Sequence, residues 1–128
     1  MKKIISLSLA GLLIMSACAK LDLEKEITIK PGENYFIDYH TFFSIDSIHD
    51  YRCPSDIECL WSGDADIFFT ASDGAASINI VAQLYSSDHN PVYFGNYKIK
   101  IVDVLPHLKS SDKFNLMNEQ VKIIINKN

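Results

Sequence analysis

Two cysteines, Cys53 and Cys59, stand between two runs of alternating apolar residues. The stretch that holds them, Asp50 to Asp66 (DYRCPSDIECLWSGDAD), constrains the fold more than any other. It carries the only Trp, Trp61, and the only Arg, Arg52. Pro54 and Ser55-Asp56 favour a turn between the cysteines. We read the stretch as a disulfide-closed corner joining two β-strands, with Trp61 packed beneath it as core. Closing so short a loop stabilises a fold by about 2 kcal/mol in the chain-entropy model. A zinc site is the rival for two thiolates. It would need a second Cys pair or a nearby His pair, and His49 is the only close imidazole.

The rest of the chain reads as short strands and turns. Ile27-Thr28-Ile29 alternates and ends at Pro31-Gly32. Tyr35, Ile37 and Tyr39 share one face by the two-residue period, and Phe43 and Ile45 continue it. Phe36 and Phe42 lie on the other face. His40-Thr41 is a candidate bend that would split this run in two. Ala65, Ile67, Phe69 and Ala71 alternate with Asp66, Phe68 and Thr70, the cleanest half-buried strand in the chain. Ser72-Asp73-Gly74 signals a hairpin, because Gly accepts the positive φ such turns require. Its partner strand should place Ile78 and Ile80 inward. Val92 to Phe94 is a short strand closed by Gly95-Asn96. Tyr97, Ile99 and Ile101 share a face, whereas Val102 and Val104 take the other parity, which predicts a bulge near Ile101. Pro106 stops that strand. Asp112 to Met117 reads as one helical turn or an irregular loop, and Val121, Ile123 and Ile125 form a last strand. Seven to eight strands without an amphipathic helix imply an all-β protein. The expected form is an antiparallel β-sandwich, Ig-like or a small barrel.

The N-terminus reads as an address. Lys2 and Lys3 precede an apolar run from Ile4 to Met15, shorter than the about 20 residues a membrane span needs and suited to a signal-peptide core. Met15-Ser16-Ala17-Cys18 has the form of a lipobox, which marks Cys18 for acylation, palmitate included, after cleavage ahead of it. The expected organisation is a signal peptide over 1–17, a lipidated Cys and tether over 18–26, and one β domain over 27–128. Two or more acyl chains hold a protein stably on a membrane. Ala19 after the cysteine tilts the address towards a bacterial outer membrane, facing periplasm or exterior. That compartment is oxidising, so Cys53 and Cys59 should pair.

Charge excludes some functions. The chain has 12 basic and 16 acidic residues. Without Lys2 and Lys3 the balance falls from −4 to −6. Nucleic-acid binding rests on phosphate neutralisation by Lys and Arg, so this domain is a poor candidate for it. Membrane contact must come through the lipid anchor instead of charge.

The same central stretch resembles the DSRCPxxxxCxWxGxA signature of a family of small, uncharacterised bacterial lipoproteins. Arg52, Cys53, Pro54, Cys59, Trp61, Gly63 and Ala65 match; Tyr51 stands for the usual Ser and Ser62 for the commoner Ala. The later YKIKIVDVLP is similar to that family's strand ending in Pro, and the likeness covers roughly Phe43 to Pro106. It implies architecture and an envelope location, and no activity.

Candidate binding residues are Tyr51, Arg52 and Trp61. Trp61 would offer a stacking platform, against its reading as core. Arg52 would take an anion through its planar fork, against an ion pair with Asp50, Asp56 or Glu58. Asp50, Asp56, Glu58, Asp64 and Asp66 could ligate calcium, but their spacing does not fit the calcium loop. His40, His49, His89 and His107 are scattered, and no GxSxG or phosphate cradle occurs. No catalytic residue, metal or cofactor is implied. The expected function is a monomeric, non-enzymatic binding module on the envelope, with a protein or glycan partner. The alternatives are an accessory subunit of an envelope complex displaying Phe36, Phe42 and Phe68, a protease-inhibitor-like domain, or an enzyme.

Overall fold

A computed structural model describes residues 21–107, 109–110 and 118–128. The expected signal segment, Cys18 and the Asp112–Met117 stretch lie outside the described residues. Eight strands form two antiparallel sheets: β1 (Glu26–Ile29), β2 (Asn34–Phe36), β3 (Phe42–Asp50), β4 (Ala65–Ser72), β5 (Ser77–Gln83), β6 (Val92–Phe94), β7 (Tyr97–Leu105) and β8 (Gln120–Lys127). One sheet has the order β1-β8-β7-β6 and the other β2-β3-β4-β5. This is the expected all-β, sandwich-like fold with one short disulfide-closed loop.

Alternation builds the core. Ile29, Ile99, Ile101, Val104, Val121, Ile123 and Ile125 are buried from the first sheet, and Phe43, Ile45, Ile48, Ile67, Phe69 and Ala82 from the second. Phe43 meets Phe69 edge-on, with ring centroids 6.1 Å apart, an arrangement that suits the aromatic quadrupole. Residues 37–41 form the expected bend, so Glu33 to Asp46 is two strands. Tyr39 falls in that bend and is almost fully exposed, not on the core face. The hairpin after Ser72 is present, with Gly74 at a φ of 90°.

Two bulges reset which residues face inward. The register shifts between Ile101 and Asp103, as the parity change foretold. A second shift lies between Ile45 and Ser47. It keeps Ile48 in the core after Ile45 by adding Asp46, whose carboxylate accepts from the Thr70 hydroxyl at 2.6 Å.

The registers give the sandwich two distinct ends. Strand β3 ends and β4 begins at the cysteine loop, and β7 ends and β8 begins at the same pole. The chain enters at the other pole, where the Leu21 amide donates to Phe36 O at 3.1 Å and the Glu24 amide to Ile125 O at 2.8 Å. There Tyr97 of one sheet donates its hydroxyl to Asp38 at 2.6 Å. Near the cysteine pole Asn90 ties the sheets, donating to Leu84 O at 2.8 Å and Ile101 O at 2.9 Å while accepting from the Ile101 amide at 2.9 Å.

Candidate functional site

The loop between β3 and β4 begins as an extension of their hairpin. Tyr51 donates its amide to Asp64 O at 2.9 Å, and Cys53 donates to Ser62 O at 2.8 Å. Gly63 makes this closeness possible. Its φ is 67°, and a Cβ there would collide with the Tyr51 carbonyl oxygen. Glycine alone adopts such a conformation without cost. Beyond this ladder the Cys53–Cys59 disulfide closes the loop, with the two Cα atoms 5.9 Å apart.

Arg52 is the fastener. Its side chain is buried, its Nη2 lies 2.7 Å from an Asp50 oxygen, and Asp50 is equally buried. Nε also donates to Asp50 at 2.8 Å, so the pair is bidentate. Nη2 reaches the carbonyl of Val104 at 2.9 Å in the opposite sheet, and Nη1 the Asp103 carboxylate at 3.4 Å. The hydrogen bonds to Asp50 raise the guanidinium pKa, against the effect of burial. Sequence proximity pointed to Asp50 as a partner; Asp56 and Glu58 are not partners. Asp103 and Val104, some fifty residues away, gave no signal except the bulge that turns Asp103 towards the loop.

Three other acids of this stretch, Asp56, Asp64 and Asp66, are held within the fold. Asp56 accepts from both the amide and the hydroxyl of Ser110, each at 2.7 Å. Asp64 accepts from the amides of Ala65 at 2.7 Å and Tyr85 at 3.0 Å. Asp66 accepts from Gln83 at 2.9 Å and from the Tyr51 hydroxyl at 3.3 Å. Tyr51 thus lies partly exposed on the outer sheet face, its ring 5.3 Å from that of His49. Among the described residues no group of three His, Cys, Asp or Glu side chains is placed to hold a metal ion. The histidines do not converge: His107 lies 2.8 Å from Asp103, and His89 lies beside Ser86.

Trp61 corrects the sequence reading. It is 76% exposed instead of packed beneath the disulfide, and Leu60 beside it is fully exposed. Ile57, inside the cysteine ring, is half-exposed. The physical reason is the ladder: pairing Tyr51–Cys53 with Ser62–Asp64 and burying Arg52 below closes the end of the core, so residues 57–61 project past it. Ala65, also expected inward, is fully buried. The loop thus presents three large apolar side chains on a backbone tied by a disulfide, a two-strand ladder and the Asp56–Ser110 contact. Beside this tip a cavity of about 530 Å³ opens between the loop and the end of β7, lined by Arg52, Ser55, Ser62, Tyr85, His107 and Ser110 among others.

One buried group was not foreseen. Glu119, just before β8, is 4% exposed, and its Oε2 has no hydrogen-bond partner among the described residues. Burial, and then the Asp50 charge, push its carboxyl up to about 7, with Arg52 opposing. Parity carries the signal: Glu119 stands two residues before Val121 and shares the inward face of Val121, Ile123 and Ile125, but a carboxyl is not expected on a core face.

No family model matches the chain, and no curated protein or solved structure matches it.

Proposed function

We propose that the protein is a non-enzymatic binding module of the bacterial envelope, anchored by lipid on Cys18, and that the cysteine loop is its recognition element. The observation that carries this reading is the exposure of Leu60 and Trp61 on a loop fastened at several points. Large apolar side chains in water are unfavourable. Trp is a residue on which binding energy concentrates. A pre-stiffened loop loses little entropy when it docks. Arg52, Asp50, Asp56 and Asp64 are occupied within the fold, which leaves the apolar tip as the larger recognition surface.

Orientation supports the same reading. Leu21, three residues after Cys18, lies at the pole opposite the cysteine loop. An anchor on Cys18 would hold that pole near the bilayer and point the tip away from it. Glu58 on the loop and the acidic domain around it disfavour contact with anionic lipid. The partner class is an envelope or extracellular protein with an apolar cleft, or a glycan; a protease cleft is one such shape.

Two experiments test the reading. Labelled palmitate should enter the native chain and not Cys18→Ser. Affinity capture from intact cells should retain a partner on the native protein and lose it with Cys53→Ser/Cys59→Ser. A partner held equally by both would move recognition off the loop.

A further inference from the structure

Among the described residues the two sheets have four edge strands, and three are short: β1 has four residues, β2 three and β6 three. The fourth, β5, has seven, Ser77-Ile78-Asn79-Ile80-Val81-Ala82-Gln83. It holds no charge, no proline and no bulge. The uncharged run extends from Gly74 to Ser87 in a chain that is 22% charged. Proteins protect long edges with those same devices, since an open edge is a template for another strand. Here they are missing.

The hydrogen bonds show which backbone groups are open. Leu84 donates its amide inward to Ala65 O at 3.1 Å, while Gln83 donates outward to His89 O at 3.3 Å. By the strand alternation, Ile78, Ile80 and Ala82 bond to β4, and the N–H and C=O of Ser77, Asn79 and Val81 point away from the sheet. Among the described residues these outward groups meet no partner; His89 covers the Gln83 end alone. Ile78 is 48% exposed and Val81 43%, which corrects the expectation that Ile78 lies inside.

We propose that the β5 edge pairs antiparallel with β5 of a second copy, joining two four-stranded sheets into one of eight. The strand is complementary to itself. A two-fold axis at Asn79 sets Asn79 against its own symmetry mate and Ser77 against Val81 as hydrogen-bonded pairs. Ile78 then lies against Ile80 on the inner-facing side, covering the exposed isoleucine. The alternative axis at Ile80 would require the Gln83 amide, already taken by His89. The acidic balance of the domain sets two copies repelling one another over most of their surface; this charge-free edge is where they can close. Pairing uses both long edges and leaves the three-residue β2 strands outermost, so assembly stops at two. The axis reverses the sandwich, so the two N-termini leave from opposite ends. A dimer replaces the monomer expected from the sequence.

The test is sedimentation of the purified full chain in density-matched detergent over a wide concentration range, beside Asn79→Pro and Ile78→Lys. Asn79→Pro removes one outward donor and no backbone bond to β4; it also gives up the bond that the Asn79 side chain accepts from the Thr70 hydroxyl at 3.2 Å. Ile78→Lys puts a charge on the inner side of the edge. Thermal unfolding checks that each variant is folded. The native chain should double in mass with concentration, and both folded variants should stay at the monomer mass. In mixed-label samples the Ile78 Hα should show a cross-copy contact to the Ile80 Hα. A native chain that is monomeric at every concentration, or a dimer that survives in both folded variants, overturns the proposal.

Discussion

The Arg52 guanidinium donates to the Val104 carbonyl at 2.9 Å, so one side chain of the β3–β4 loop fastens that loop to the opposite sheet. The same group neutralises Asp50, which is buried beside it. Removing one partner of a buried pair leaves the other charge uncompensated, which costs about 3–5 kcal/mol. Arg52→Ala should therefore lower the unfolding free energy by about that amount in urea titration. Arg52→Met/Asp50→Asn should recover part of the loss, because the Asp50 charge is removed together with its partner. Equal losses in both variants would mean that packing of the arginine stem, and not the charge, is what matters.

Gly63→Ala tests the ladder under the tip. A positive φ costs a non-glycine residue roughly 1–2 kcal/mol, and here the added methyl also meets the Tyr51 carbonyl. The loss of stability should exceed the φ cost alone. Gly32→Ala is the control: its φ is 82°, and nothing stands within 4 Å of an added Cβ. Its loss should stay within the φ cost. Similar losses at both sites would show that the loop yields to the methyl group.

Much of the fold is legible in the sequence, and the limits have physical causes. The β7 bulge shows as a switch of parity between Ile101 and Val102, because burial on one face forces a strict period of two. The β3 bulge had the same signal in Ile48, which breaks the parity of Phe43 and Ile45. The reading of Trp61 failed for want of any such signal. A loop has no periodicity, and whether its aromatic residue folds under or projects depends on contacts from distant residues such as Val104 and Ser110. Ile78 shows the converse limit, since alternation assigns it a face but does not say whether anything covers that face at a sheet edge. Arg52 and Asp50 were legible as neighbours; the role of Asp103 was not.

Glu119 predicts an unusual pH dependence. Its folded pKa of about 7 lies above the ordinary 4.5. Between those values the native carboxyl keeps a proton that the unfolded chain has lost, so this group's contribution falls as pH rises from 4.5 to about 7 and levels off above. At about 1.4 kcal/mol per pKa unit the cost is on the order of 3 kcal/mol at neutral pH. Denaturant titrations from pH 5 to 8 should show the decline, and Glu119→Gln should flatten it. An unchanged profile in the variant would assign the decline to another group.

Asp38 acts in the opposite sense. The Tyr97 hydroxyl, helped by the amides of His40 and Thr41, holds its carboxyl well below the ordinary 3.8. Its contribution is therefore complete above that value and is lost as pH falls below it. Tyr97→Phe should raise the acid-unfolding midpoint towards the carboxylate range and change little at pH 7 beyond the loss of one hydrogen bond. NMR titration of the Asp38 carboxyl in both proteins checks the cause directly.

The claim that the projecting tip recognises a partner is tested most directly at Leu60 and Trp61 themselves. Both side chains are exposed, so Leu60→Ser/Trp61→Ser should leave the thermal midpoint unchanged while the loop stays tied by Cys53–Cys59 and Arg52. The measurement is the affinity of native and variant protein for the partner captured from intact cells. The account predicts a weakening of at least a hundredfold, since a central aromatic anchor contributes roughly 2 kcal/mol or more and its apolar neighbour adds to it. An affinity unchanged in the folded double variant would contradict it.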